Sequence, residues 1–477
     1  MSRSSKIQGP VIHTLTLGAS TLLVVSTVIG SGVYKKVAPM SADLQSPVLV
    51  LFCWVLAGII SLFGALSNAE VAGMLAKVGG EYVYFNRIYG KFMGFIYGWS
   101  VFTVIKTSAV ASISYVFSHS FNSIILLPRF SQAIENIQLF GIFKPFENFG
   151  VKSLTIILII ILSFINTRGL KGGSILSTSL TKLIIAGLTI VIVSGLLFGH
   201  GSLKNISTHA TSYVSHPWYD FSVIKALFAA MLAAFWAFEG WNEIGYIGSE
   251  IQNPKKNIPL ALSGGIAITI IVYLAVNFTY LYVLPADRFV KMYQTTNEIA
   301  AVEVVRHFAG NYGAILLSIL ILLTTLGCAN STLLMPPRIY YTMAKDGFFF
   351  RGTEKLHPRY NTPNRALWLQ AVWASLLVLS GSFDQLTDML VFAAFIYYGA
   401  IALGVIILRI REPEMERQYK VWGYPYVPGL FTLFCLALVI ITFFTNPREA
   451  SLGIALILTG VPFYLYWKRK LKTAQSK

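Results

Sequence analysis

Glu239 stands between Phe238 and Gly240 in an otherwise apolar stretch. A carboxylate in such surroundings is costly at the middle of a bilayer unless it has a partner or a task. A second stretch, Ile29-Gly30-Ser31-Gly32-Val33, places glycines inside an apolar helical run. Gly30 and Gly32 permit an unwound backbone whose N–H groups, with the amino terminus of the half-helix that follows, point at an anion such as a carboxylate. In a site of that kind Glu239 and freed carbonyls of its own segment could hold an ammonium group. Two other readings stand beside this one: Glu239 carries a proton, or it pairs with a structural lysine. The glycines have a plainer reading too, as small residues that let membrane helices pack closely.

Further polar residues fall inside apolar runs. Lys182 lies well within one, its Cα ~12 Å from the cytoplasmic end at the helical rise of 1.5 Å per residue. There it is expected as a buried ammonium bonding backbone carbonyls near the helix breaks, with a snorkelling side chain as the alternative. Lys106 and Glu70 also lie within runs, and a pair between them is conceivable. Trp236, Ala237, Phe238 and Trp241 surround Glu239, and the aromatics either cover a solute or pack the bundle. Asn330, in Gly327-Cys328-Ala329-Asn330-Ser331, either lines a pocket or bonds a neighbouring helix. The histidines are scattered, mostly in loops, and the three cysteines show no metal-ligand spacing. No nucleophile–base pair, metal cluster or phosphate loop stands out, so no cofactor is expected.

These residues need a membrane to position them. The chain has 477 residues, of which 55% are hydrophobic and only 12% charged, a balance unsuited to soluble domains. Apolar runs fall near 11–38, 47–75, 92–122, 153–167, 174–199, 223–248, 258–284, 312–335, 366–382, 387–408, 425–444 and 450–467. Each is read as a membrane span, giving an all-α integral membrane protein of about twelve helices. The first, behind Arg3 and Lys6, is longer than a cleaved signal and is expected to be retained. Most of the 37 lysines and arginines fall in the termini and even-numbered loops, which places both termini in the cytoplasm. The net charge of +17 sits in membrane-adjacent segments, where anionic lipid rather than nucleic acid is the expected partner.

The expected organisation is a cytoplasmic N-terminus at 1–10, a transport core of ten helices at 11–408, a cytoplasmic loop at 409–424, two further helices at 425–467 and a basic tail at 468–477. The two interrupted spans are the first and the sixth. A five-plus-five inverted repeat would make them structural equivalents, broken at mid-membrane beside one shared site. Helix breaks at that depth are tolerated only where they are buried in protein or line a wet cavity.

Several segments resemble the amino acid-polyamine-organocation superfamily, with the L-type amino acid transporter branch the nearest match. They are Ala69-Glu70 with Gly79-Gly80-Glu81-Tyr82-Val83-Tyr84, then Glu250 through Pro254-Lys255-Lys256-Asn257-Ile258-Pro259, and Arg338 through Met343-Ala344-Lys345-Asp346-Gly347 to His357-Pro358. The resemblance covers nearly the whole chain and implies a LeuT-type fold. It further implies that the backbone from Ile29 through Gly30, Ser31 and Gly32 to Val33 binds a substrate carboxylate. Carbonyls around Trp236, Ala237, Phe238, Glu239 and Gly240 would bind its amine. Trp236 matches a gating aromatic, Asn330 a pocket position on the eighth helix, and Lys182 a fifth-helix lysine associated with sodium independence.

The implied function is sodium-independent exchange of neutral amino acids across the cell membrane by alternating access, with Lys182 and Glu239 as coupling residues. Proton-coupled symport and transport of cationic amino acids or polyamines are the alternatives, because Glu239 departs from the glycine or aspartate usual in relatives. A channel or a membrane-embedded enzyme would need charged pore rings, a large soluble domain or reactive constellations, and none is visible. The chain also lacks any cysteine between Ser118 and Lys152, where animal members attach a disulfide-linked heavy chain, so no such subunit is expected.

Overall fold

The computed structural model describes residues 15–475 except 76–78, 140–143, 169, 218, 296–297 and 418. The leader expected at 1–10, the first residues of the opening span and the last two residues of the tail lie outside the described residues. Among those described, the structure is helical, with an isolated bridge between Leu15 and Ile251 and no named strand.

The first apolar run forms α1 (Leu17–Val28), α2 (Gly32–Lys35) and α3 (Val37–Leu44), and α4 spans Pro47–Met74. A short α5 (Glu81–Tyr89) precedes α6 (Lys91–Ser100), which passes through a π-helical turn (Val101–Ile105) into α7 (Lys106–Asn122). Next come α8 (Gln132–Glu135), α9 (Phe149–Asn166), α10 (Leu170–Phe198), α11 (Leu203–Ser207) and α12 (Phe221–Ala237). A 3-10 helix (Trp241–Glu250) then leads to α13 (Pro254–Val283), α14 (Ala286–Thr295), α15 (Ala300–Leu334) and α16 (Pro337–Lys345). The chain closes with α17 (Asn364–Ser380), α18 (Phe383–Arg411), α19 (Tyr426–Thr445), α20 (Pro447–Leu458) and α21 (Gly460–Gln475).

Local sequence sets several starts. Ser46 accepts a hydrogen bond from the Leu49 N–H ahead of Pro47, and Ser382 and Gln385 form a capping box at α18. Nine helical stretches among the described residues are long and apolar enough to cross a membrane. Within the described residues, every span read from the sequence falls largely on helix. Three are short of that length: α1 and α12 because each stops at a backbone break, and α17 because it has 17 residues.

Apolar side chains such as Phe52, Ile59, Ile157, Ile190, Ile271 and Leu316 lie exposed on the outer helix faces, as a hydrocarbon solvent permits. The stretch Lys91–Asn122 is the opposite case, with 94% of its most apolar window buried, which makes it the central post of the bundle. Along its upper part α7 packs against α15, α9, α17 and α18, while α13 packs along α4 and α1. Toward the end of α4, Glu70 receives Arg409 at 2.9 and 2.7 Å, lies 3.4 Å from Arg417 and accepts the Val421 N–H at 2.7 Å. The conceivable Glu70–Lys106 pair is thereby corrected: Glu70 ties α4 to the end of α18 and the loop beyond it, and Lys106 faces elsewhere.

Candidate functional site

The two glycine-bearing breaks meet. A Cβ on Gly32 would lie 2.5 Å from the Cβ of Ala237, so only glycine lets the first break approach the second this closely. Gly240 has φ +110°, and a Cβ there would meet the Thr27 carbonyl oxygen at 2.6 Å. Between α1 and α2 the Gly30 N–H turns back to the Val28 carbonyl at 2.8 Å, and helix resumes at Gly32. Tyr273 of α13 spans both breaks: its hydroxyl lies 2.9 Å from the Val28 carbonyl oxygen and 2.8 Å from that of Ala237. One buried phenol thus serves carbonyls that both interrupted helices leave without their usual partners.

A cavity of about 20 Å³ lies between the breaks, room for a water molecule. Gly30, Ser31 and Gly32 line it from the first break, Trp236, Glu239, Gly240 and Glu243 from the second, Lys106 and Ala109 from α7, and Cys328 and Thr332 from α15. Lys106 follows the π-helical turn, whose extra residue shifts the helical register of the central post. Its ammonium lies 2.9 Å from Glu239 Oε1 and 2.9 Å from Glu243 Oε1, and all three side chains are buried. The Tyr398 hydroxyl also reaches Glu239, at 2.9 and 2.8 Å from its two oxygens. Three polar side-chain atoms among the cavity's lining residues have no hydrogen-bond partner: the Ser31 hydroxyl, the Trp236 indole Nε1 and Glu243 Oε2.

Several expected site residues stand elsewhere. Lys182 is exposed on α10, whose buried face carries Thr181, Ile184, Leu188 and Val191. The expectation of a buried Lys182 ammonium beside the first break is corrected, because the residue is turned by about 100° from Thr181. Asn330 is buried but does not line the cavity, which α15 meets with Cys328 and Thr332. Those two are four residues apart on one helix face, and Asn330, midway between them, falls on the opposite side. Ile29, Val33 and Ala237 are buried core residues outside the lining set. Of the aromatics, Trp236 lines the cavity, Phe238 packs on Trp54 and Tyr273, and Trp241 lies against Tyr398.

Polar contacts continue away from the cavity on both sides. On one, Tyr398 is 3.3 Å from Asn242 Oδ1, and the Asn242 amide donates to Glu81 at 2.9 Å. Glu81 also accepts from Asn68 at 2.6 Å and, very closely, from the Tyr97 hydroxyl. Glu81 opens α5, outside the spans, and burial pushes its carboxyl up to about 7 against the opposing pull of these donors. On the other side, Trp236 packs edge-on against Phe383 with ring centroids 5.9 Å apart, and the ammonium groups of Lys35 and Lys36 lie 4.5 and 4.7 Å from the Phe383 ring centre.

Sequence reasoning missed Tyr273, Tyr398, Asn242 and Glu243, and left Lys106 without its true partners. Glu243 carried the clearest signal, as a second carboxylate in the same apolar run as Glu239. The tyrosines looked like ordinary aromatic packing.

Comparison with known proteins bears on the whole arrangement. This chain is 29% identical over 450 residues to the serine/threonine exchanger of Bacillus subtilis (strain 168), covering 94% of this chain and 95% of that one. It is 28% identical over 446 residues to the human b(0,+)-type amino acid transporter 1, covering 93% and 85%. It is also 27% identical over 462 residues to the human cystine/glutamate transporter, covering 96% and 86%. The family model for amino acid permease matches residues 15–466, a reach that takes in both helix breaks, Lys106 and Tyr273. The protein is a multi-pass membrane protein and belongs to the amino acid permease family.

Proposed function

We propose that this chain is a sodium-independent exchanger of neutral amino acids in the cell membrane, with both termini cytoplasmic. About twelve helices would form a five-plus-five inverted repeat in which the first and sixth are broken. The observation that carries the reading is the meeting of the two breaks across one cavity, with the Gly30–Gly32 backbone on one side and Trp236, Glu239 and Gly240 on the other. The substrate carboxylate would lie at the first break and its ammonium group toward the second. A cavity with room for a water molecule admits an amino acid only when the bundle opens, so the solute would be exposed to each side in turn. The exchange named for the Bacillus subtilis relative supports the same mode here.

Independence of sodium is supported by Tyr273. Its hydroxyl sits where freed carbonyls of both breaks converge, and such carbonyls are what a bound sodium ion would otherwise coordinate. Operation without a disulfide-linked subunit is supported by the cysteines: Cys53, Cys328 and Cys435 are all buried.

The test is uptake of radiolabelled serine by the purified chain alone in proteoliposomes, with and without internal amino acid, sodium and a pH gradient. Uptake that needs internal amino acid and neither gradient is the expected result. Uptake driven by a pH gradient and abolished by Glu239→Gln would make the protein a proton symporter instead. A chain that binds serine yet transports it only after a second subunit is added would overturn the single-chain reading.

A further inference from the structure

The charges around the cavity do not balance among themselves. Two carboxylates, Glu239 and Glu243, face one ammonium, Lys106, and all three are buried. Glu239 is occupied on both oxygens, by Lys106 and Tyr398 on one and by Tyr398 on the other. Glu243 shares Oε1 with Lys106, while Oε2 is buried with no partner. A buried carboxylate oxygen without a protein partner is costly to maintain, and one facing a binding cavity is explained by a donor that arrives with the ligand. The Ser31 hydroxyl, orphaned at the first break, is the complementary donor for a carboxylate.

Resting on the exchanger reading above, we propose that Glu243 Oε2 accepts the substrate's α-ammonium group and that Lys106 sets the substrate class by charge count. With Lys106 in place the three side chains carry one net negative charge, which a single substrate cation neutralises. The substrate carboxylate is taken separately by Ser31 and the backbone of the first break. A neutral amino acid meets both requirements. Arginine or lysine would bring a second cation to carboxylates already committed to Lys106, and that cation would be buried unpaired. Lys106 is therefore a tethered stand-in for a cationic side chain, and removing it vacates a cation subsite.

The experiment measures uptake of serine and of arginine by proteoliposomes loaded with unlabelled serine. Wild type should take up serine and ignore arginine. Lys106→Met should acquire arginine uptake, and Glu243→Gln should raise the KM for serine by about 30-fold. The double variant Lys106→Met/Glu243→Gln, with one net negative charge restored on Glu239, should recover serine uptake and still exclude arginine. The proposal is overturned if a folded Lys106→Met stays blind to arginine or if Glu243→Gln leaves the KM for serine unchanged. Should Lys106→Met fail to fold, a double variant that takes up serine no better than Glu243→Gln overturns it. Wild-type liposomes that take up neither amino acid would instead overturn the exchanger reading, so the two failures are separable.

Discussion

The ammonium of Lys36 lies 2.8 Å from Asp384 Oδ1, and Lys36 is almost wholly buried. The pair joins the segment just beyond the first break to the first turn of α18, where the neighbouring Phe383 packs against Trp236. Lys36 also reaches the Thr387 hydroxyl at 3.0 Å. A buried ion pair of this kind favours the conformation in which both partners meet, because either charge alone is poorly solvated there. It is therefore a latch on the side of the cavity away from Glu81.

Asp384→Asn should weaken that latch and populate conformations open on that side. Cys328 lines the cavity, so in a Cys53→Ser, Cys435→Ser background its thiol reports the opening. In the orientation proposed above this side faces outward, and a membrane-impermeant thiosulfonate added outside should label Cys328 about tenfold faster than in the parent, the effect of a shift of roughly 1.4 kcal/mol between two states. Unchanged labelling would show that Phe383 and Trp236 close this side without the ion pair.

Tyr273→Phe removes one hydroxyl and leaves the ring packed on Phe238 and Trp54. The carbonyls of Val28 and Ala237 then lose a shared donor, and the protein should be less stable by about 1–3 kcal/mol. Exchange should slow more than substrate binding weakens, since the bond holds the two breaks together. Thermal unfolding in detergent and turnover in proteoliposomes check the two parts separately.

Gly32→Ala places a methyl group 2.5 Å from Ala237 and must push the two breaks apart. Overpacking of this kind typically costs about 1–3 kcal/mol, here applied directly to the site, so exchange should be lost. Gly18→Ala is the control, because a Cβ at Gly18 meets nothing within 4 Å. Equal activity in the two variants would show that the breaks need not approach this closely.

Glu81 gives a pH dependence with a definite sign. Burial raises its carboxyl from the model-peptide value of 4.5 to about 7, so the folded protein holds this proton over a range where the unfolded chain has released it. The associated stability is fully present below about pH 4.5 and is lost as pH rises through about 7. Thermal unfolding at pH 5 and pH 8 should show the wild type losing more stability across that interval than Glu81→Gln. Parallel losses in the two proteins would place the titrating group elsewhere.

Composition and the length of each apolar run were enough to determine that this chain lives in a membrane and where its helices lie, since hydrocarbon thickness leaves a helix few choices of length. The two breaks were legible for a related reason: paired glycines, or a glycine beside a carboxylate, stand out in an apolar run, and Gly30, Gly32, Glu239 and Gly240 do line one cavity. The partners of the buried charges were not legible. Lys106 and Lys182 both sit inside apolar runs, and only the packing of helices shows that the π-helical turn aims Lys106 at Glu239 and Glu243 while Lys182 faces outward. Asn330 and Cys328 are two residues apart, yet helical phase puts Cys328 alone of the two on the cavity. Spacing along one chain fixes which residues share a helix face; which face meets the site depends on the rotation of each helix against its neighbours, and that is decided by contacts among residues hundreds of positions apart.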